Sequence, residues 1–158
     1  MDDISITKNT ITFDNEFNEP ITIEMVKLMK IPKNYILKFG EKFNNKIDGN
    51  IIEGIKIIIF KNDFNQSVDN LPNTLEELLF GNNFNQNVDN LPNKLKILYL
   101  GNNFNKSVDK LFGNLSTLVI QSKSFNQNLN NLPKNLMQLS IIDSEFLPNH
   151  EYIIVSPV

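Results

Sequence analysis

FNQNVDNLP at 84–92, with LKILYLGNN following at 95–103, is the stretch that decides the fold. Nearly the same words return at Phe64 (FNQSVDNLP), Phe104 (FNKSVDKLF) and Phe125 (FNQNLNNLP). Aligned on Phe-Asn, the series runs Phe17, Phe43, Phe64, Phe84, Phe104 and Phe125, with a worn copy at Phe146. The gaps are 26, 21, 20, 20, 21 and 21 residues. A fixed period of this length marks a stacked repeat, in which each unit buries its apolar side against the next.

A second column stands just upstream of each Phe: Ile11-Thr12-Phe13, Leu37-Lys38-Phe39, Ile58-Ile59-Phe60, Leu78-Leu79-Phe80, Leu98-Tyr99-Leu100, Leu118-Val119-Ile120 and Leu139-Ser140-Ile141. Apolar, variable, apolar is the alternation of a strand with one buried face. The outer two positions, such as Leu98 and Leu100, are expected in the core. Phe104 lies past the corner and points in as well, while Val108 and Leu111 fill the convex half. Stacking places Phe43, Phe64, Phe84, Phe104 and Phe125 in one aromatic spine. Asn65, Asn85, Asn105 and Asn126 follow the spine Phe, and an amide that both donates and accepts is suited to the unpaired backbone groups of a corner. The Leu-Pro pairs at Leu71-Pro72, Leu91-Pro92 and Leu132-Pro133 mark the turn back to the next strand. Gly81 and Gly101 stand just after strands, where a missing side chain allows a tight corner.

The pattern Leu95, Leu98, Leu100, Asn103 looks like a leucine-rich repeat. More narrowly, Phe-Asn-x-x-(Val/Leu)-x-x-Leu-Pro resembles the FNIP repeat family, known mainly from social amoebae and from large DNA viruses that infect amoebae. The resemblance covers residues 11–146. It implies a leucine-rich-repeat-like solenoid, an α/β repeat that is mostly β, with a parallel β-sheet on the concave face and an irregular or short helical convex side. About seven turns of 20–21 residues are expected. It also implies a recognition scaffold. Many family members carry an N-terminal F-box that makes them ubiquitin-ligase adaptors. Here the first strand begins at Ile11, which leaves too little sequence for that element, so an adaptor role is not expected.

One solenoid domain is expected over 1–158, with an N-terminal cap at 1–30, repeats at 31–146 and a C-terminal cap at 147–158. In the first cap, Ile4-Ser5-Ile6 and Ile11-Thr12-Phe13 flank a polar turn at Lys8-Asn9 and read as a hairpin whose second arm starts the solenoid. The extra residues of the first repeat, Pro20 to Lys30, read as a short convex helix started by Pro20, with Ile21, Met25, Leu28 and Met29 at helical spacing. In the second cap, Tyr152 to Val155 is apolar and β-branched, and Pro157 stops it; this tail is expected to close the end of the core.

Composition narrows the functional classes. The formal net charge is −3, hydrophobic residues make up 41%, and all 15 basic residues are Lys. Arg, Ala, Cys and Trp are absent from the sequence. Lacking the planar fork of Arg, and mildly acidic, the chain is not expected to bind nucleic acid. No disulfide or thiol chemistry is available, which accords with a reducing compartment. Met1 to Thr10 has neither the basic nor the apolar part of a secretory signal, and no apolar run is longer than Ile57 to Phe60, so a cytoplasmic location off the membrane is expected.

A search for chemistry yields little. His150 is the single His, so there is no zinc set and no cofactor site to propose. Asp48, Asp69, Asp89 and Asp109 form a column five residues after each Phe. Stacked carboxylates could hold a hard cation; the plainer reading is that each Asp accepts a turn N–H, and Asn130 in the last copy favours it. Sequons at Asn65, Asn105 and Asn114 are expected by chance in so Asn-rich a chain. Carboxylate-lined β-helices that hydrolyse polysaccharides need a cleft, of which there is no sign, so no enzyme is expected.

Function then rests on the surface. The concave face takes Ile57 and Ile59, Glu77 and Leu79, Ile97 and Tyr99, Thr117 and Val119, then Gln138 and Ser140. Its centre is apolar, and a contiguous exposed apolar patch marks an interaction site, with Tyr99 a typical anchor. A protein partner is the leading expectation. The alternatives are a second copy of the chain, in a structural or self-assembling protein, and burial under the N-terminal segment.

Overall fold

A computed structural model describes residues 4–7, 9–30, 34–111 and 113–142. Its strands are β1 (Ile4–Thr7), β2 (Thr10–Phe13), β3 (Ile36–Lys38), β4 (Ile57–Ile59), β5 (Glu77–Leu79), β6 (Ile97–Leu100), β7 (Thr117–Ile120) and β8 (Gln138–Ile141). All eight join one sheet in chain order. β1 and β2 form an antiparallel hairpin, and every later pairing is parallel. The register repeats the period: Ile58 faces Leu78, Leu78 faces Leu98, and Leu98 faces Leu118.

These four residues are fully buried, as are Ile11 and Leu37 in the same column. Two residues on, Phe13, Phe39, Phe60, Phe80, Leu100 and Ile120 form the second buried column. The expected alternation is therefore the observed one, and the sheet has one core face and one open face. On the return path, Leu75, Leu95 and Leu136 each donate their backbone N–H to the carbonyl of the Pro three residues earlier, at 3.0 Å. Each Leu-Pro pair thus sets the turn that delivers the chain to its next strand.

Five turns of 20 or 21 residues separate β3 from β8, against the seven expected. The first turn, Thr10 to Ile36, is longer because it contains α1 (Ile23–Met29). The copy at Phe146 and the whole C-terminal tail, with His150, lie outside the described residues.

The aromatic spine is double. Phe43, Phe64, Phe84 and Phe104 are fully buried and stack along the solenoid, while Phe125 is half-buried at its end. Beside them run Phe13, Phe39, Phe60 and Phe80, the last residues of the strand columns. Across the two columns Phe60 lies 3.7 Å from Phe64, and Phe80 lies 3.6 Å from Phe84, between ring centroids. Along the strand-end column the spacings are 4.9, 5.2 and 5.5 Å. Along the corner column they are 6.1, 6.1, 6.2 and 6.2 Å from Phe43 onward. Each turn is thus a wedge, narrow at the sheet and wide at the corner. That taper puts the sheet on the concave side.

Helix α1 starts later than the sequence suggests. Thr22, not Pro20, is its N-cap, and the Thr22 hydroxyl accepts the Met25 N–H at 3.2 Å. A hydroxyl that satisfies an orphan N–H of the first turn outweighs the preset φ of a proline two residues upstream. The helix ends at Lys30 in the left-handed conformation (φ 49°). Ile21 and Met29 are buried and Met25 packs against the core, but Leu28 is 63% exposed. A helix of seven residues has room for only a narrow buried stripe, and Leu28 falls off it.

Candidate interaction surface

Residues between the two core columns point to the open face, together with those one place before them. Register aligns Ile36, Ile57, Glu77, Ile97, Thr117 and Gln138 in one row. The other row is Thr12, Lys38, Ile59, Leu79, Tyr99, Val119 and Ser140. Ile57, Ile59, Leu79 and Ile97 are half-exposed and lie outside the core cluster. Tyr99 is 40% exposed beside them. The expected apolar centre is therefore one contiguous surface over β4, β5 and β6. Glu77 and Thr117 are half-exposed at its polar edge.

Two positions depart from expectation. Val119 is only 3% exposed and Ser140 0%, although the register sets both on the open face. Neither belongs to the core cluster. Nothing in the residue alternation signals this, because cover on that face is a tertiary matter.

A charged ladder missed by the sequence reading borders the patch. Lys56, Glu76 and Lys96 each immediately precede a strand. Glu76 pairs with Lys56 on one side and with Lys96 at 2.6 Å on the other. Hydrogen bonds from Lys56 and then Lys96 hold the Glu76 carboxyl down to about 2, from an ordinary value of 4.5. Its signal was the recurrence of charge at one repeat position, Lys-Glu-Lys twenty residues apart.

The Asn column works as expected. Asn65 Oδ1 accepts the Asn85 N–H at 2.9 Å, Asn85 Oδ1 the Asn105 N–H at 2.9 Å, and Asn105 Oδ1 the Asn126 N–H at 3.1 Å. Asn18 and Asn44 extend the same ladder toward the N-terminus. Gln66, Gln86 and Gln127 add a second donor to the oxygen below.

The Asp column is built differently from its expected role. Asp48 alone among the four accepts a local turn N–H, from Asn50 at 3.0 Å. In Asp69, Asp89 and Asp109 the direction reverses: the Asp backbone N–H donates to Ser67, Asn87 or Ser107 two residues earlier. Those short side chains form the local turn, and Ser67 and Asn87 also donate to the carboxylates of Asp69 at 2.7 Å and Asp89 at 3.1 Å. Asp69 accepts from Asn90 at 3.1 Å, and Asp89 from Lys110 at 3.0 Å. Lys110 and, after it, Asn87 keep the Asp89 carboxyl below its ordinary value. Among the described residues no three His, Cys, Asp or Glu side chains converge as a metal set. Asp69 and Asp89 are thus linked across turns, Asp48 bonds within its own turn, and Asp109 Oδ1 is buried with no hydrogen-bond partner among the described residues.

Gly81 and Gly101 serve a purpose other than turn conformation. Neither has a positive φ. A Cβ on Gly101 would lie 2.2 Å from the Gly81 carbonyl oxygen, and one on Gly81 would lie 2.4 Å from the Lys61 carbonyl carbon. The glycines let successive corners stack backbone on backbone.

Among the described residues no helix is long and apolar enough to cross a membrane. Residues 43–83 match the FNIP repeat model. No curated protein matches the chain. Among solved structures it is similar to CroV588, a novel circular LRR protein from a giant virus, with 31% sequence identity and a TM-score of 0.68. That likeness covers 84% of this chain and 23% of the CroV588 chain, so the present chain spans less than a quarter of that protein's length. The repeat words, the matching model and the shared solenoid agree: this chain carries FNIP repeats, matched over residues 43–83, on a leucine-rich-repeat-like fold.

Proposed function

We propose that this chain is a non-enzymatic recognition module that binds a protein partner against the concave sheet face. The carrying observation is the half-exposed apolar group Ile57, Ile59, Leu79 and Ile97 around the exposed Tyr99. Such a patch gains from being covered, since apolar area withdrawn from water contributes about 25 cal/mol per Å². Tyr99 offers both a ring and a hydroxyl, the combination favoured at binding hot spots. The Lys56–Glu76–Lys96 ladder at the rim supplies polar contacts that fix orientation more than affinity. A cysteine-free scaffold also suits a reducing cytoplasm. Without Arg and with net negative charge, nucleic acid is a poor competitor for this face.

The double variant L79K/Y99K tests the placement. Both side chains lie off the core, so the variant is expected to keep the circular dichroism spectrum of the parent and to lose its captured partner. Retention of that partner by a folded variant would sink the concave-face reading.

A self-assembling role is favoured by one separate observation. β1 is the outer strand of the sheet, and its residues Ser5 to Thr7 are exposed, Ile6 by 51%. An open strand edge is a template for pairing. Light scattering across a concentration series separates the readings: mass that grows with concentration favours assembly, and constant monomer mass leaves partner binding.

A further inference from the structure

β1 ends the sheet with an edge that is complementary to itself. The Ile36 N–H donates to the Asn9 carbonyl at 3.0 Å, so the backbone of Asn9 is turned toward β3. Backbone groups alternate in direction along a strand. Ile11 and Phe13 therefore also face β3, while Thr10 and Thr12 face β1. Register sets Thr10 against Thr7 and Thr12 against Ser5. Those pairs carry the hairpin hydrogen bonds, which leaves the N–H and C=O groups of Ile4 and Ile6 directed outward. The side chains of the same two residues lie on the core side, in register with Phe13 and Ile11. Ile4 packs against the core, but Ile6 is 51% exposed while its neighbour Ile11 is fully buried. The core face at this end lacks one strand of cover. Apolar exposure gathers here: Ile6, Ile23 and Leu28 are large, exposed and confined to the hairpin and the first turn. In α1 the buried stripe of Met25, Val26 and Met29 has Ile23 on one side and Leu28 on the other.

We infer that β1 pairs with β1 of a second copy, antiparallel, about a two-fold axis through Ser5 perpendicular to the sheet. This rests on the self-association reading of the open edge and names its partner, its register and its limit at two chains. Paired residues share a face, so a slip by one residue would set Ile against Ser or Thr and throw the two cores to opposite sides. With Ile4 opposite Ile6 of the second copy, both cores stay on one side and both outward-facing residues of β1 find partners. Ser5 then faces Ser5 of the second copy on the open side, in a pair without hydrogen bonds. The outer side of Ile6 is covered by Ile4 of the second copy, and the edge is used up, so the assembly closes. Two eight-stranded sheets become one. The apolar patches, centred on β5, lie four strand spacings from each β1, and one more spacing crosses the axis. They are thus set roughly 43 Å apart along a common sheet, an arrangement suited to a two-headed partner.

The full-length chain is the sample for the test. Sedimentation equilibrium is expected to show a monomer–dimer equilibrium with no larger species. Ile6→Pro removes only an outward N–H and leaves the pairs of β1 with β2. It is expected to keep the circular dichroism spectrum of the parent and to weaken dimerisation by at least about tenfold. The Cys-free sequence allows a second readout. Position 5 meets its own copy with Cα atoms about 4.5 Å apart, within the range of a disulfide. Position 7 is also exposed but lies roughly 13 Å from its copy in this register. In oxidised glutathione, S5C is expected to form covalent dimers about tenfold faster than T7C. A dimer that survives Ile6→Pro, equal rates for S5C and T7C, or a mass that climbs past the dimer each overturn this pairing while self-association through another surface stands. A chain that stays monomeric to near-millimolar concentration overturns both. If Ile6→Pro does not fold, the comparison of S5C with T7C decides.

Discussion

Asn85 ties three turns together through a single side-chain position. Its backbone N–H is accepted by the Asn65 amide oxygen, and its own amide oxygen accepts the N–H of Asn105. Asn85→Ala strands the half-buried Asn105 N–H, at a cost of about 1–3 kcal/mol. Asn85→Asp keeps an acceptor and is expected to retain most of that stability at neutral pH. Equal losses in the two variants, measured by urea unfolding, would show that acceptance is not the function of the column. Phe84 is fully buried between rings of both columns, so Phe84→Ala should cost about 3–5 kcal/mol; an unchanged unfolding midpoint refutes the spine. Glu76 makes the acid response readable. Its folded value is depressed to about 2 from an ordinary 4.5, so its contribution is present above the ordinary value and is lost as pH falls toward the folded one. The side chain is 30% exposed, and the effect stays within the ~1 kcal/mol of exposed pairs. Glu76→Gln should flatten the unfolding midpoint between pH 4.5 and 2; a slope equal to the parent's assigns the acid response elsewhere.

At the scale of elements, strands of three or four residues are too short to persist alone, and stacking is what holds them. Their positions were legible because three independent sequence columns (the alternating strand, the Phe-Asn corner and the Leu-Pro return) repeat in phase. Helix α1 was legible as an insertion but not in its details. Its start was set by the Thr22 hydroxyl, and which of Met25, Leu28 and Met29 faced inward depended on the angle at which it lies on the core. Corner stacking carries its own prediction. Gly101→Ala places a Cβ against backbone of the previous turn, and overpacking of this kind costs about 1–3 kcal/mol. Were only conformational freedom at stake, alanine would be tolerated, since φ at Gly101 is not positive. A thermal midpoint equal to or above the parent's would contradict the close approach.

Over the whole molecule, each turn contacts only its neighbours, so stability is distributed along the axis and ends open first. In the monomer, amide hydrogen exchange should be slowest in β4, β5 and β6, which have turns on both sides, and fastest in β1, which pairs on one side only. Uniform protection would mean that the solenoid unfolds as one block. The apolar centre of the open face coincides with these same strands. A rigid middle is a good platform for a partner, because little ordering is required on binding.

Period, strand phase, buried columns and the Asn ladder were determined by the sequence itself. Translation by one turn sets like residue on like residue, and local alternation then leaves only one face for each side chain. The reversed hydrogen bonds of the Asp column and the close corners at Gly81 and Gly101 were decided only in three dimensions. Each depends on the distance between groups that a repeat alignment places in register but does not position.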